Sequence, residues 1–279
     1  DEAARRFGAE DSIFLSSGYL AAQLLVQQYF ETHQLIYAPD THPALWIGRP
    51  KAPRIKFVEW IEGTIKLING SDQPVMIISN SLNNLIPEIY NFDWLKRIDP
   101  HKELVLLIDD SHGIGITGNQ GEGIYSRLPQ LTNIETFVIA SMAKALGFDA
   151  GLILGNSAGI KNLRNSPVYV GSSPPSPGML YAFVHAGEIY AQELFNLRRN
   201  LRLFTDLLES TKKLFFINDF PVFLLQDDEI AIDLLKNGIN ISSFPYPDPQ
   251  AKAIHRIVIN SIHEKEELEI LAKWINGNG

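Results

Sequence analysis

Leu104-Val-Leu-Leu-Ile-Asp-Asp-Ser-His112 is an uninterrupted apolar run that ends abruptly in two carboxylates and a histidine. A second run, Thr136-Phe-Val-Ile-Ala140, leads directly into Ser141 and Lys144. Continuous apolar runs of this length predict buried parallel strands. Ligands bind at the carboxyl ends of such strands, where charged side chains are costly unless they have partners or a chemical role. The two runs therefore predict a parallel sheet with a ligand site along one edge.

Apolar, β-rich segments alternate with helical ones along the first two thirds of the chain, which predicts an α/β fold with a largely parallel sheet flanked by helices. A first helix is expected over Tyr19–Tyr29, after Ser16-Ser-Gly18. The predicted strands are Ser12–Leu15, Gln34–Tyr37, Arg54–Val58, Val75–Ser79, Leu104–Ile108, Thr136–Ala140 and Leu152–Leu154.

The pattern changes after about Tyr190, where leucines at helical spacing run through a long charged segment. A strand at Val222–Leu225, a helix at Asp228–Leu235, a strand at Arg256–Ile259 and a terminal helix are expected to follow. We predict a large domain over residues 1–190 and a smaller α+β domain over residues 191–279.

The amino-acid composition excludes several classes of protein. The chain has 279 residues, 45% hydrophobic and 20% charged, as expected for an ordinary globular protein. A net charge of −8 and the lack of a basic cluster argue against nucleic-acid or membrane-surface binding, and no apolar run approaches the ~20 residues of a membrane span. The absence of cysteine excludes disulfides, thiolate catalysis and cysteine-bound zinc, fits a cytoplasmic protein, and leaves no metal site expected.

Lys144, Asp109 and His112 are the candidates for chemistry. A lysine in an apolar, partly desolvated setting has a lowered pKa and becomes a competent amine nucleophile. A buried carboxylate at Asp109 could hold a pyridine nitrogen protonated, which is the electron sink of pyridoxal phosphate chemistry. Taken singly, each residue also has an ordinary interpretation: an exposed loop lysine, a turn or cap aspartate (which suits Asp110 better), and a loop histidine.

Three further features are weaker signals. Ser16-Ser-Gly-Tyr19 joins a short strand to a helix, and backbone amides at a helix start suit a phosphate. His42 could stack on a flat ring, although histidines in such positions are commonly surface or capping residues. Arg256 opens a β-rich segment and could bind a carboxylate through two hydrogen bonds, although most such arginines are surface residues.

Together these motifs resemble the α-oxoamine synthase family of fold-type-I pyridoxal 5'-phosphate (PLP) enzymes. The strongest matches are Asp109-Asp-Ser-His-Gly-Ile-Gly115, the Gly118–Gly123 loop and Ser141-Met-Ala-Lys-Ala-Leu-Gly147. Ser17-Gly-Tyr-Leu-Ala21 is similar to the family's phosphate-binding turn, and Arg256-Ile-Val-Ile-Asn-Ser-Ile-His263 to its small-domain strand. The resemblance extends from Ala3 to the terminal helix.

The resemblance implies a cytoplasmic homodimeric acyltransferase, similar to 8-amino-7-oxononanoate synthase, that condenses a small amino acid with an acyl-CoA thioester. Lys144 would hold the cofactor covalently, and Asp109 would pair with its ring nitrogen. The implied cofactor contacts are His112 and Ser81 near the phenolic oxygen, His42 on the ring face, and Gly18, Tyr19, Ser141 and Ser172 at the phosphate, with Ser172 coming from the partner subunit. Arg256 would bind the carboxylate of the amino acid.

The chain also departs from the family pattern. Family members usually begin several dozen residues earlier, Asn83 and Asn84 replace an aspartate, and Pro43 follows His42. These departures keep two alternatives open: an aminotransferase of the same fold, and a catalytically impaired PLP-binding homologue. Ser141-Met-Ala-Lys144 also matches the S-x-x-K motif of penicillin-recognising hydrolases, but no K-T-G element follows it.

Overall fold

The structure, a computed structural model, describes residues 2–48, 53–246 and 249–277 of the chain. The strands are β1 (Asp11–Leu15), β2 (Gln34–Tyr37), β3 (Val75–Asn80), β4 (Leu82–Asn83), β5 (Glu88–Ile89), β6 (Leu104–Asp109), β7 (Ile134–Ser141), β8 (Gly151–Gly155), β9 (Leu214–Phe216), β10 (Val222–Leu225), β11 (Ser242–Pro245) and β12 (Ala253–Val258). The helices are α1 (Glu2–Phe7), α2 (Gly18–Tyr29), α3 (Phe57–Asn69), α4 (Ser157–Arg164), α5 (Pro167–Gly171), α6 (Pro177–His185), α7 (Gly187–Leu207), α8 (Asp228–Lys236) and α9 (Lys265–Asn276). Short 3-10 helices cover Pro43–Leu45, Asp93–Arg97 and Tyr125–Arg127.

The chain divides into two compact units. The first comprises residues 1–82 and 89–187, and the second comprises residues 83–88 and 188–279. Residues 83–88, which the sequence assigned to the large domain, therefore group with the second unit.

A six-stranded sheet with the order β1-β8-β7-β6-β3-β2 organises the first unit. Strands β2, β3, β6 and β7 are parallel, whereas β8 runs antiparallel to both β7 and β1. Alternate residues of these strands pack against α2 and α4 on one face, and the intervening residues are buried as well. Burial on both faces explains the unbroken apolar runs, because neither face can carry polar side chains. The predicted α/β class with a mostly parallel sheet is confirmed.

One predicted strand is wrong. Arg54–Val58 is not a strand, because α3 begins at Phe57. Basic and apolar residues alternate over Arg54–Phe57, which is a pattern typical of a strand. From Phe57 onwards, however, the apolar residues follow helical spacing. The buried side chains of α3 are Phe57, Trp60, Ile61, Thr64, Ile65 and Ile68.

The second unit has its own four-stranded antiparallel sheet with the order β11-β12-β10-β9. The long helix α7 buries Leu194, Leu197 and Leu201, as the leucine spacing predicts. Strands β9 and β11 were not predicted, and β12 begins three residues before the expected Arg256. No helix in the described parts of the chain is long and apolar enough to cross a membrane.

Candidate functional site

The carboxyl ends of the parallel strands bring the main candidate residues together. Asp109 ends β6, and Ser141 ends β7, three residues before Lys144. The Lys144 Nζ lies 2.9 Å from the His112 Nε2, although 32 residues separate them in the chain (144 − 112 = 32). The amine and the imidazole therefore form one group beside the Asp109 carboxylate, at the edge where parallel sheets bind ligands.

Electrostatics link the same residues to His42. Burial lowers the pKa of the Lys144 amine, and the Asp109 carboxylate opposes that shift. Burial also lowers the pKa of the His42 imidazole; the Asp109 charge opposes this and the Lys144 charge adds to it. The Asp109 charge thus favours the protonated form of both Lys144 and His42, while the Lys144 charge disfavours protonation of His42. A lowered pKa makes the amine easier to deprotonate and keeps the His42 ring neutral.

A chain of hydrogen bonds orients Asp109 relative to β7. The Asp109 Oδ1 accepts a 2.9 Å hydrogen bond from the Ser111 backbone N–H. The Ser111 hydroxyl in turn accepts a 2.8 Å hydrogen bond from the Ser141 backbone N–H. Sequence reasoning gave Ser111 no role, because a serine inside a turn motif carries no signal of its own. In the fold it links the ends of the two central strands.

The start of α2 approaches Ser141 closely. A Cβ atom added at Gly18 would lie 2.7 Å from the Ser141 Cβ, so only glycine fits without a shift. The Ser17 hydroxyl caps the helix by accepting a hydrogen bond from the Leu20 N–H (3.2 Å). Tyr19 follows in the first turn and is 63% exposed. Backbone amides at a helix start, next to Ser141, provide the type of cradle that phosphates occupy.

The structure shows hydrogen bonds made by two other candidate residues, His42 and Ser81. His42 caps the 3-10 helix Pro43–Leu45, with its Nδ1 accepting a hydrogen bond from the Ala44 N–H at 3.1 Å. Ser81 is buried at 3% exposure, and its N–H donates to the Asp109 carbonyl at 2.9 Å. Burial raises the pKa of the neighbouring Asp110 carboxyl, and the Ser81 hydroxyl opposes that rise.

The described contacts of Ser172 and Arg256 are with other residues. The Ser172 hydroxyl, directly after α5, donates to the carbonyl of Val168 in the first turn of that helix. Arg256 belongs to the second unit, where its Nη1 donates to the Asn84 carbonyl at 3.1 Å. Its guanidinium carbon lies 4.9 Å from the centre of the Phe244 ring.

Ser141 lies at the end of a strand and Lys144 in the following turn. The S-x-x-K motif of penicillin-recognising hydrolases requires its serine at the start of a helix, so this arrangement argues against that alternative. Within the described ranges, no three or more acidic or histidine side chains form a group that could hold a metal ion.

Comparisons with known proteins point to one family, although no protein-family profile matches the chain. The 8-amino-7-oxononanoate synthase of Thermosipho melanesiensis is 25% identical over 280 residues, which covers 93% of this chain and 71% of the relative. The putative 8-amino-7-oxononanoate synthase of Methanocaldococcus jannaschii is 27% identical over 284 residues, covering 95% of this chain and 75% of the relative.

Solved structures share the fold. Serine palmitoyltransferase of Sphingomonas wittichii superimposes with a TM-score of 0.79 at 18% identity, covering 100% of this chain and 74% of that one. A serine palmitoyltransferase solved with a PLP internal aldimine gives a TM-score of 0.78 at 18% identity, again over 100% of this chain and 74% of that one. The 8-amino-7-oxononanoate synthase of Francisella tularensis gives 0.70 at 21% identity, over 99% and 84%. The resemblance to α-oxoamine synthases is confirmed.

Proposed function

We propose that this chain is a PLP-dependent acyltransferase that condenses a small amino acid with an acyl-CoA thioester, as an 8-amino-7-oxononanoate synthase does. The observation that carries the proposal is the 2.9 Å contact between the Lys144 Nζ and the His112 Nε2 beside Asp109. The relatives named 8-amino-7-oxononanoate synthase support the reaction type, and their coverage of more than nine tenths of this chain supports its extension to the whole fold.

The side chains at the edge of the sheet fit PLP group by group. Lys144 offers an amine with a lowered pKa for the aldehyde, and Asp109 offers an anion for the ring nitrogen. The start of α2 beside Ser141 offers amides for the phosphate, and the neutral His42 ring offers a flat face. When bound, PLP supplies the electron sink that makes the α-carbon of an amino acid acidic.

The chain's own residues then have distinct tasks. The Lys144 amine, deprotonated more readily because its pKa is lowered, would hold the aldehyde carbon of PLP. Once the amino group of the substrate has taken its place there, the freed amine would accept the α-proton. The Asp109 carboxylate keeps the ring nitrogen protonated, and the Ser111 N–H fixes its orientation. His112, in contact with the Lys144 amine, would donate to the phenolic oxygen. Ser81 would lie near the same oxygen, as the family resemblance implies.

Arg256 is proposed to bind the carboxylate of the amino acid. Its guanidinium is half-buried, and burial lowers its pKa, yet an arginine stays charged at any physiological pH. Its Nη1 donates to the Asn84 carbonyl, its Nη2 contacts the Ser242 hydroxyl at 3.4 Å, and the Phe244 ring packs against the guanidinium. Each Nη has a second N–H that could donate to a carboxylate oxygen.

The chain is further proposed to act as a homodimer in the cytoplasm, with Ser172 reaching the phosphate of the partner's site. The family resemblance supports the homodimer and the role of Ser172, because fold-type-I sites are built at a dimer interface. The mass of the purified protein in solution tests the homodimer: a monomer that binds PLP and turns over substrate would contradict it.

The proposed function is tested first on Lys144. We expect Lys144→Ala to abolish the visible absorbance band near 420 nm, reducible by borohydride, that appears when PLP is added. The control is Lys161→Ala, an exposed lysine on α4 that lies away from the strand ends. If Lys144→Ala keeps a borohydride-reducible adduct, another lysine holds the cofactor and the assignment is wrong.

A second assay separates the reaction types. Wild-type protein with PLP is incubated with glycine, alanine or serine and with short or long acyl-CoAs, and free CoA thiol is measured. Thiol release that needs both substrates supports the acyltransferase. Transfer of the amino group to a keto acid without thiol release would indicate an aminotransferase, and no spectral change with any amino acid would indicate an impaired homologue.

A further inference from the structure

Asn80 ends β3 directly opposite Asp109 in the register of β3 and β6. Both ends of its side-chain amide are engaged by one short segment that follows β2. The Asn80 Nδ2 donates to the Asp40 carbonyl at 2.7 Å, and its Oδ1 accepts a hydrogen bond from the His42 N–H at 3.2 Å. One amide therefore bridges the backbone on either side of Thr41.

The bridged segment is a turn whose backbone conformation is unfavourable without stabilising contacts. Asp40 has a φ of +57°, in the left-handed region that residues other than glycine rarely adopt. Thr41 is 1% exposed, and its hydroxyl donates to the Ala38 carbonyl. From the other side, Gln23 on α2 donates from Nε2 to the Ala44 carbonyl at 2.8 Å. The turn is thus fixed by side chains from two elements.

This turn sets the direction of the His42 ring. Because the His42 Nδ1 accepts a hydrogen bond from the Ala44 N–H, the proton of the neutral ring lies on Nε2. The ring shares its surroundings with Asp109 and Lys144, since both charges act on its pKa. The backbone N–H and the ring nitrogen of one residue are therefore both fixed, the first by Asn80 and the second by Ala44.

We propose that Asn80 is a positioning residue: its amide holds the turn at residues 40–42 and thereby directs the His42 ring towards Lys144 and Asp109. What the ring contacts there rests on the proposed function, in which His42 lies against PLP. The hydrogen bonds and the left-handed Asp40 support the positioning role without reference to any ligand.

The first test uses the apoprotein and does not depend on PLP. The imidazole signals are followed by NMR as a function of pH, and the His42 signal is identified by its loss in His42→Ala. In Asn80→Ala we expect the pKa of His42 to rise towards its ordinary value, because the ring leaves the surroundings that lower it. The control is Asn162→Ala, an exposed asparagine on α4.

A His42 titration that is unchanged in folded Asn80→Ala would overturn the proposal. Should alanine prevent folding, Asn80→Ser is used instead. A single serine hydroxyl cannot span both the Asp40 carbonyl and the His42 N–H, so the same rise in the pKa of His42 is expected, and its absence has the same meaning.

The second test measures PLP binding in a double-mutant cycle of Asn80→Ala and His42→Ala, followed by visible absorbance. We expect each single variant to bind PLP about tenfold more weakly, as for the loss of one stacked ring. The double variant should bind no more weakly than His42→Ala, because Asn80 acts through His42. Losses that multiply would overturn the proposal. Wild-type protein that fails to bind PLP would count against the proposed function, while the apoprotein titration still decides the role of Asn80.

Discussion

Asp110 lies under the site, between the ends of β3 and β6 and the glycine loop that follows. It is 1% exposed, and its Oδ2 accepts a 2.8 Å hydrogen bond from the Ile124 N–H. A Cβ atom at Gly113 would lie 2.0 Å from its Oδ1, so a larger residue there would displace the carboxyl group. Burial raises the pKa of the Asp110 carboxyl to about 7, despite the opposing charge of Arg127. This aspartate is therefore substantially protonated at neutral pH.

Asp110→Asn tests that state, since asparagine has nearly the same shape and never ionises. The folded pKa of Asp110 lies above its unfolded value of 3.8, so its contribution to stability is complete below pH 3.8 and disappears as the pH rises through about 7. Between pH 5 and pH 8 the unfolding free energy of the wild type should fall by about 3 kcal/mol relative to that of the variant.

Urea unfolding of both apoproteins at pH 5 and pH 8 measures this difference. Other carboxylates titrate equally in the two proteins and cancel in the comparison. A difference in unfolding free energy between variant and wild type that does not change with pH would mean that Asp110 has an ordinary pKa.

At the scale of elements, the site depends on how closely α2 approaches the ends of the strands. A Cβ atom at Gly18 would also lie 2.9 Å from the Ser141 Cα, and one at Gly151 would lie 2.0 Å from the Ser17 carbonyl oxygen. Two glycines on different elements thus allow the helix start and two strand ends to share one small volume. The phosphate cradle proposed for PLP is a product of this packing.

Gly18→Ala should disturb the packing between α2 and β7. We expect a loss of about 1–3 kcal/mol in unfolding free energy, because an added methyl must displace backbone and side-chain atoms of Ser141. PLP binding should weaken in parallel. Chemical unfolding and PLP titration measure the two effects.

The matched control is Gly63→Ala in α3, where an added Cβ has no atom within 4 Å. There alanine should stabilise the protein by up to about 1 kcal/mol, since it favours the helix. If both substitutions stabilise the protein to the same degree, the close contact between Gly18 and Ser141 does not exist in solution.

At the scale of the whole molecule, a buried side-chain amide links two segments of the second unit. Asn200 on α7 is 2% exposed, and its Nδ2 donates to the carbonyls of Asn260, Ser261 and His263 at 3.0, 3.3 and 2.9 Å. These carbonyls belong to the segment that leads from β12 to α9. One side chain therefore ties the long helix to the turn that follows the small sheet.

Asn200→Ala should remove about 2–3 kcal/mol of local stability, because three carbonyls lose their shared donor inside the protein. Hydrogen exchange measured by mass spectrometry should become faster over residues 188–277 and stay unchanged in β6 and β7. Asn196→Ala, on the same helix and bonded only to neighbouring helix residues, serves as the control. Equal acceleration in both units would show that the chain unfolds as one cooperative unit.

Much of this architecture could be predicted from the sequence, because burial leaves a periodic trace in the chain. The runs Leu104–Ile108 and Thr136–Ala140 are strands buried on both faces, and the leucines of α7 lie on its buried side. The prediction failed at Arg54–Val58, where five residues fit a strand and a helix equally well. It also missed β11, whose Ser242-Ser-Phe-Pro245 has half of its residues exposed and little apolar signal.

The sequence alone was enough to place polar residues at the ends of the central strands and to single out Asp109, His112 and Lys144. Only the tertiary structure shows that Lys144 contacts His112 and that Asn80 bridges the turn at Asp40–His42. It also shows that Asp110 is buried away from solvent. The physical reason is that periodic hydrophobicity records whether a residue is buried. Which side chains meet across tens of residues depends on strand register and on the closeness of packing, and these are properties of the folded chain as a whole.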